Sequence, residues 1–126
     1  MSRVFPWVRL IRLSENFGFC RAVNEGIKTS DSPYVLLLNN DIEADGNFIE
    51  EMTAAIKRHK KAFACGAKMI RFYDRDRIDD AGNYYCALGW AFARGKGKDI
   101  HTCEKEQKIF SACAGAAIYR REVFNR

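Results

Sequence analysis

Residues 34–41 read Tyr-Val-Leu-Leu-Leu-Asn-Asn-Asp, and the change of character within this stretch decides the fold. Its five apolar residues show no polar alternation, the mark of a strand buried on both faces of a parallel sheet. Asn39, Asn40 and Asp41 then end the strand abruptly. Upstream, Pro33 and the polar run 29–32 separate it from a short helix predicted over 20–28. Cys20, Val23 and Ile27 recur there at helical spacing, with Ser14 or Asn16 as a cap. Further upstream, residues 8–13 alternate apolar and basic in part and predict a strand.

Downstream, Phe48, Ile49, Met52, Ala55 and Ile56 form the apolar stripe of a second helix. Glu50, Glu51, Lys57, Arg58 and Lys60 belong to its wet face, acids early and bases late, as the helix dipole prefers. His59 sits among those last-turn bases, where it reads as a cap or a solvated group. A third strand is predicted near 63–72. Beyond Tyr73 the pattern weakens: 74–85 reads as turn then strand, 89–99 as a mobile loop. Residues 111–124 open with small side chains and end in an amphipathic piece. Strand, helix, strand, helix, strand is an α/β layout, with parallel pairing expected in its first two thirds.

The chain has 126 residues, enough for a single domain with a real core. Nearly half the residues are apolar, which excludes a disordered tail. No run approaches the roughly 18 apolar residues that span a bilayer. The first residues lack a signal-peptide pattern, so a cytoplasmic protein is expected. A net charge of +5 suggests an anionic partner, yet the bases are scattered and no motif for reading nucleic acid accompanies them. Five cysteines without a C-x-x-C pair argue against a disulfide framework or a zinc site and predict reduced, mostly buried thiols.

In open α/β sheets, ligands bind beyond the carboxyl ends of the strands, where Asn39, Asn40 and Asp41 fall. A carboxylate there can hold Mg²⁺ or Mn²⁺ and leave positions on the ion for phosphate oxygens and water. Plain turn chemistry explains the same three residues, since Asn and Asp are favoured where strands end. The Gly95–Lys98 glycine–lysine pattern lacks P-loop spacing. Trp90 and Phe92 are expected in the core.

Other segments set the trio in a wider pattern. NFGFCRAVNEG at 16–26 precedes YVLLLNNDIEADGNFIEEM at 34–52; AKMIRF follows at 67–72, DDAGN at 79–83 and GAAIYRREVF at 115–124. In this order the segments resemble the family-2 glycosyltransferases, in their rhamnosyltransferase-like branch, over 8–124. The resemblance implies a GT-A, Rossmann-like fold with a mostly parallel sheet. It also implies inverting transfer of a sugar from a nucleotide-diphosphate donor to a hydroxyl of a saccharide or lipid-linked acceptor, in cell-surface polysaccharide synthesis. Such a protein is cytoplasmic or peripheral at the inner membrane face, and nucleic acid is not a partner.

By position, Asp41 matches the family's metal-binding acid, with Mg²⁺ or Mn²⁺ as the ion. Asn39 and Asn40 replace an earlier acid and would serve the ribose or the ion's hydration shell. Asn16, Gly18 and Asn24 match the segment lying against the nucleotide, although Asn16 as a cap and Gly18 as a positive-φ turn residue fit equally. Asp80 and Gly82 match an acceptor-side turn, although a plain surface turn explains them equally; Gly115 and Arg120 complete that side, with donor phosphates or a solvated helix end as the other readings of Arg120. The resemblance further implies a strand–helix–strand unit ahead of residue 8 and an acidic pair, supplying the general base, after Phe124. Neither is in the chain, so a single partial catalytic domain is expected, with the base unassigned. Without its family neighbour the 34–38 strand would expose an aliphatic edge and invite self-association. The rival readings are a non-catalytic α/β module binding a nucleotide or partner and, further off, a small nucleic-acid-binding domain.

Overall fold

The computed structural model describes residues 5–124, which divide into two compact units with their boundary between Ser32 and Pro33. In the first unit, α1 runs Phe19–Lys28. Asn16 Oδ1 accepts a 2.9 Å hydrogen bond from the Gly18 amide, and Gly18, at φ 80°, turns the chain into the helix. The expected stripe is only partly inward: Ile27 is buried, Val23 half-buried and Cys20 exposed. Thr29 closes the helix, its amide and hydroxyl both donating to the Gly26 carbonyl.

The strand expected over 8–13 is not formed. Arg9 instead donates to the Thr29 carbonyl at 2.9 Å, and Val8, Leu10, Ile11 and Leu13 remain substantially exposed. A strand has no hydrogen bonds of its own and exists through its neighbours; no ladder reaches this segment among the described residues.

The second unit contains β1 (Tyr34–Leu38), α2 (Phe48–Arg58), β2 (Ala64–Gly66), β3 (Met69–Ile70), β4 (Ile78–Asp80), β5 (Asn83–Tyr85), β6 (Ala91–Ala93) and β7 (Ala116–Arg120), followed by a 3-10 turn at Arg121–Phe124. Its main sheet has the order β1-β7-β2; β3–β4 and β5–β6 are separate two-stranded ladders. Every one of these pairings is antiparallel, which corrects the expectation of a mostly parallel sheet. The physical reason is an insertion. β1 and β2 do run in the same direction, as a strand–helix–strand unit requires, but β7 lies between them and runs against both.

The register fixes which face meets α2. Tyr34 pairs with Arg120, Leu36 with Ile118 and Leu38 with Ala116, while Ile118 also faces Cys65. Tyr34, Leu36, Cys65 and Ile118 accordingly pack with Met52, Ile56 and Phe48 of the helix. Ile56 is fully buried, whereas Ile49, in the first turn of α2, is exposed. Ile78 centres a second buried point in β4.

Arg120 ends β7 beneath the last turn of α2. Its Nε donates to the Ala62 carbonyl at 2.8 Å, and its Nη2 to the carbonyls of Ile56 and His59 at 2.7 and 3.2 Å. Carbonyls at a helix C-terminus lack intrahelical donors and carry partial negative charge, so a guanidinium satisfies both needs. Arg120→Met should lower stability by about 2 kcal/mol, with Arg120→Lys recovering part, in chemical denaturation. An effect within the scatter of surface substitutions would show that water replaces the guanidinium freely. Nearby, Glu106 accepts from Arg58 and lies 2.7 Å from His59 Nε2. These contacts, His59 first, hold the Glu106 carboxyl below the usual glutamate range.

The long stretch expected to be a mobile loop is partly ordered by the β5–β6 hairpin. Trp90 and Phe92 are exposed on it, contrary to the expected place in the core. A two-stranded ladder at the margin has too little surface opposite it to bury both rings. Cys20 is exposed and the other four cysteines are half-buried, all as free thiols.

Candidate active site

The carboxyl ends of β1 and β2 and the amino end of β7 share one edge of the three-stranded sheet. This follows from β7 running against both neighbours. At that edge the Asn39 amide donates to the Gly115 carbonyl at 2.9 Å, one step beyond the Leu38–Ala116 pair. The Asn39 side chain also lies alongside Gly115: a Cβ built on that glycine would sit 3.5 Å from Asn39 Nδ2, 3.6 Å from Cys113 Sγ and 3.7 Å from Met69 Sδ. Asn39, expected on the donor side, and Gly115, expected on the acceptor side, are thus brought together. These separations are ordinary van der Waals contacts, so an alanine would fit at Gly115.

Met69 extends the edge towards β4, where Asp80 is its ladder partner. Asp80 is the one buried charged residue among those described, and its Oδ1 accepts a 2.7 Å hydrogen bond from the Gly82 amide. That bond closes the turn between β4 and β5. Gly82 has φ 98°, and its α-carbon lies so close to Ile109 that a Cβ would come within 2.5 Å of Cδ1 and 2.8 Å of Cγ2. Only glycine meets both conditions without strain. Asp80 and Gly82 therefore have a firm structural duty in the turn between β4 and β5.

Asn40 and Asp41 form an exposed turn, and among the described residues no hydrogen bond or ion pair engages Asp41. Its carboxylate is neither buried nor tied to backbone amides. Arg120, expected on the acceptor side, lies at the other end of the sheet: it pairs with Tyr34, four residues before Leu38, or about 14 Å along the strand. Asn16, Gly18 and Asn24 belong to the first unit, where Asn16 and Gly18 shape the entry to α1 and Asn24 lies exposed on the helix. Met69 and Cys113 are site neighbours that the sequence reading missed. An apolar residue and a thiol look like core, and only the folded backbone brings both beside Gly115.

Two hollows, of about 540 and 420 Å³, lie elsewhere. The first is lined by the 101–107 segment with Arg94, the second by Lys60–Phe63 with Arg120 and its neighbours. Neither borders Asn39, Asn40 or Asp41.

Among the described residues, no three His, Cys, Asp or Glu side chains gather into a protein-only metal site. Mg²⁺ and Mn²⁺ do not demand one, because such ions are commonly held by one or two carboxylates plus substrate phosphates and water. A lone, solvent-facing Asp41 beside two amide side chains fits a substrate-shared ion and not a structural one.

The exposed Asp41 carboxylate at the exit of β1 stands where ligands bind in open α/β sheets, beyond the carboxyl ends of the strands. The family model described as Glycosyl transferase family 2 matches residues 4–126, and the chain belongs to that family. Membership implies the GT-A fold and the use of a nucleotide-sugar donor with an acceptor. Comparison with curated proteins and with solved structures gives no match.

Proposed function

We propose that this chain carries the donor-holding edge of a metal-assisted, inverting glycosyltransferase that acts on a hydroxyl acceptor. The observation carrying the reading is the β1 exit: Asn39 is locked to Gly115, and Asp41 stands exposed beside it without a partner among the described residues. In this reading Asp41 holds Mg²⁺ or Mn²⁺, which when bound neutralises the charge of the departing diphosphate. Asn39 and Asn40 face the ribose or the water around the ion; for Asn16, Gly18 and Asn24 of the first unit, a nucleotide-side role rests on the family resemblance alone. Gly115, without a side chain, leaves room beside Asn39, and Asp80 and Gly82 form the acceptor-side turn.

The acceptor oxygen bonds to the anomeric carbon on the face opposite the nucleotide, while the bond from that carbon to the phosphate oxygen breaks. The hydroxyl proton passes to a general base. None of the described carboxylates is assigned that role, and Asp80 is already occupied by the Gly82 amide. A rhamnose-type donor, a saccharide or lipid-linked acceptor and a cytoplasmic position at a membrane face complete the proposal. Among the described residues, no helix is long and apolar enough to cross a membrane.

The test is titration with UDP or dTDP, with and without Mn²⁺, followed by amide chemical shifts. Metal-dependent binding that shifts the 39–41 amides is expected. Binding that ignores the metal would replace the enzyme reading with that of a nucleotide-binding module. Salt-sensitive retention of arbitrary oligonucleotides, with no nucleotide effect, would replace it with the nucleic-acid reading.

β1 is an edge strand of its sheet, and Leu38 at its end is exposed. We propose that a second copy covers this aliphatic edge. Sedimentation should show a concentration-dependent dimer; a monomer with normal unfolding cooperativity would refute it.

A further inference from the structure

The turn after β1 is pinned on both sides, with Asp41 midway between the pins. Before it, the Asn39 amide donates to the Gly115 carbonyl at 2.9 Å. Two residues after it, Glu43 takes the guanidinium of Arg75, 32 positions away in the chain: Nη2 donates to Oε2 at 2.8 Å and Nη1 to Oε1 at 3.4 Å. Among the described residues, no other hydrogen bond or ion pair ties residues 40–44 to another part of the fold. Asn40, Asp41, Glu43 and Ala44 are exposed and only Ile42 is half-buried, so packing does little to hold the segment.

Arg75 is itself held. It lies in the turn between β3 and β4, where the Arg71 amide donates to the Arg77 carbonyl and the Arg77 amide to the Asp74 carbonyl, both at 3.0 Å. The Ile100 amide donates to the Asp76 carbonyl at 2.8 Å and fixes the turn from outside. The Arg75 guanidinium also lies over the Phe72 ring, 5.0 Å from its centroid, and Phe72 meets Tyr73 edge to face at 5.1 Å. β3, which leads into this turn, starts at Met69 beside Gly115. The Arg75 and Glu43 side chains are 61% and 62% exposed, and such pairs add little to folding stability. A forked guanidinium–carboxylate pair does fix direction as well as distance. Position is what a metal-sharing carboxylate needs, since an error of about 1 Å costs up to about a hundredfold in catalysis.

We propose that Arg75, acting through Glu43, is a positioning residue for the Asp41 turn, holding that carboxylate where a diphosphate-bound ion can share it. The functional consequence rests on the donor-edge reading above, whereas the clamp itself can be read in the free protein.

In the free protein, NMR order parameters of the 40–44 amides should sit near about 0.85 and fall towards about 0.6 in Arg75→Ala. Mn²⁺-dependent affinity for UDP should fall about threefold in Arg75→Ala and in Glu43→Gln, within what an exposed pair supplies. The double variant should be no weaker than either single one, because both remove the same contact. Arg58→Ala takes an equal charge from the pair with Glu106 at the end of α2 and should leave affinity unchanged. Unchanged order parameters in Arg75→Ala would overturn the proposal. So would additive losses in the double variant, or an equal loss in Arg58→Ala, which would show attraction by overall charge. Absence of Mn²⁺-dependent binding in the wild-type protein would instead overturn the donor-edge reading, and the order parameters alone would then decide the clamp.

Discussion

Asp41→Ala should reduce Mn²⁺-dependent affinity for a nucleoside diphosphate, and any transfer activity, at least about a hundredfold, while leaving the fold as stable as before. The functional half of this expectation comes from charge. An ion shared between one protein carboxylate and a diphosphate loses its only anionic protein ligand when that carboxylate goes, and neighbouring amides cannot replace it. The stability half comes from placement: Asp41 is exposed and unpartnered among the described residues, so its removal should change unfolding by no more than about 0.5 kcal/mol. Asp41→Asn keeps the shape and removes the charge, and should behave like the alanine variant. Wild-type affinity in either variant would mean that the turn is only a turn. Lost affinity accompanied by a large fall in stability would mean that Asp41 supports the strand end and not a ligand.

Gly82→Ala should cost about 3 kcal/mol of folding stability, the sum of a left-handed backbone and a forced contact. The two parts can be separated, because the contact has a single partner. A Cβ at position 82 would meet Ile109 Cδ1 at 2.5 Å, Cγ2 at 2.8 Å and Cβ at 3.2 Å. Ile109→Val removes only the first atom and should relieve little. Ile109→Ala removes the first two, and on that background Gly82→Ala should cost only about 1 kcal/mol, the part due to φ. Equal costs on all three backgrounds, by denaturant titration, would show that the contact is soft. The variant should also loosen the Asp80 carboxylate, whose hydrogen bond comes from the Gly82 amide.

Periodicity found the elements whose pattern is local. α2 appears where Phe48, Met52 and Ile56 recur, and β1 coincides with the five apolar residues before Asn39. Sheet neighbours are not local. The apolar run 34–38 reads the same whether a parallel or an antiparallel strand lies beside it, and nothing within it announces β7 as its partner. Residues 8–13 carried half an alternation and no partner, and half a pattern does not make a strand. The site divides in the same way. Asn39 and Gly115 were both marked by resemblance, and the ladder brings them together. Arg120 was marked too, but its guanidinium answers the end of α2, a relation between residues some sixty positions apart that no short motif encodes. Trp90 and Phe92 of the β5–β6 hairpin were expected in a core, as large apolar rings usually are, whereas both are exposed.

The insertion of β7 between β1 and β2 sets a timetable for the chain as it leaves the ribosome. β1, α2 and β2 are made early, yet neither early strand has a partner until Ala116–Arg120 emerges, after every other strand has been synthesised. At roughly 5–20 residues per second, the aliphatic 34–38 segment waits several seconds for the β7 edge it pairs with among the described residues. A stop codon before Gly115 would remove the keystone of the sheet, not its margin.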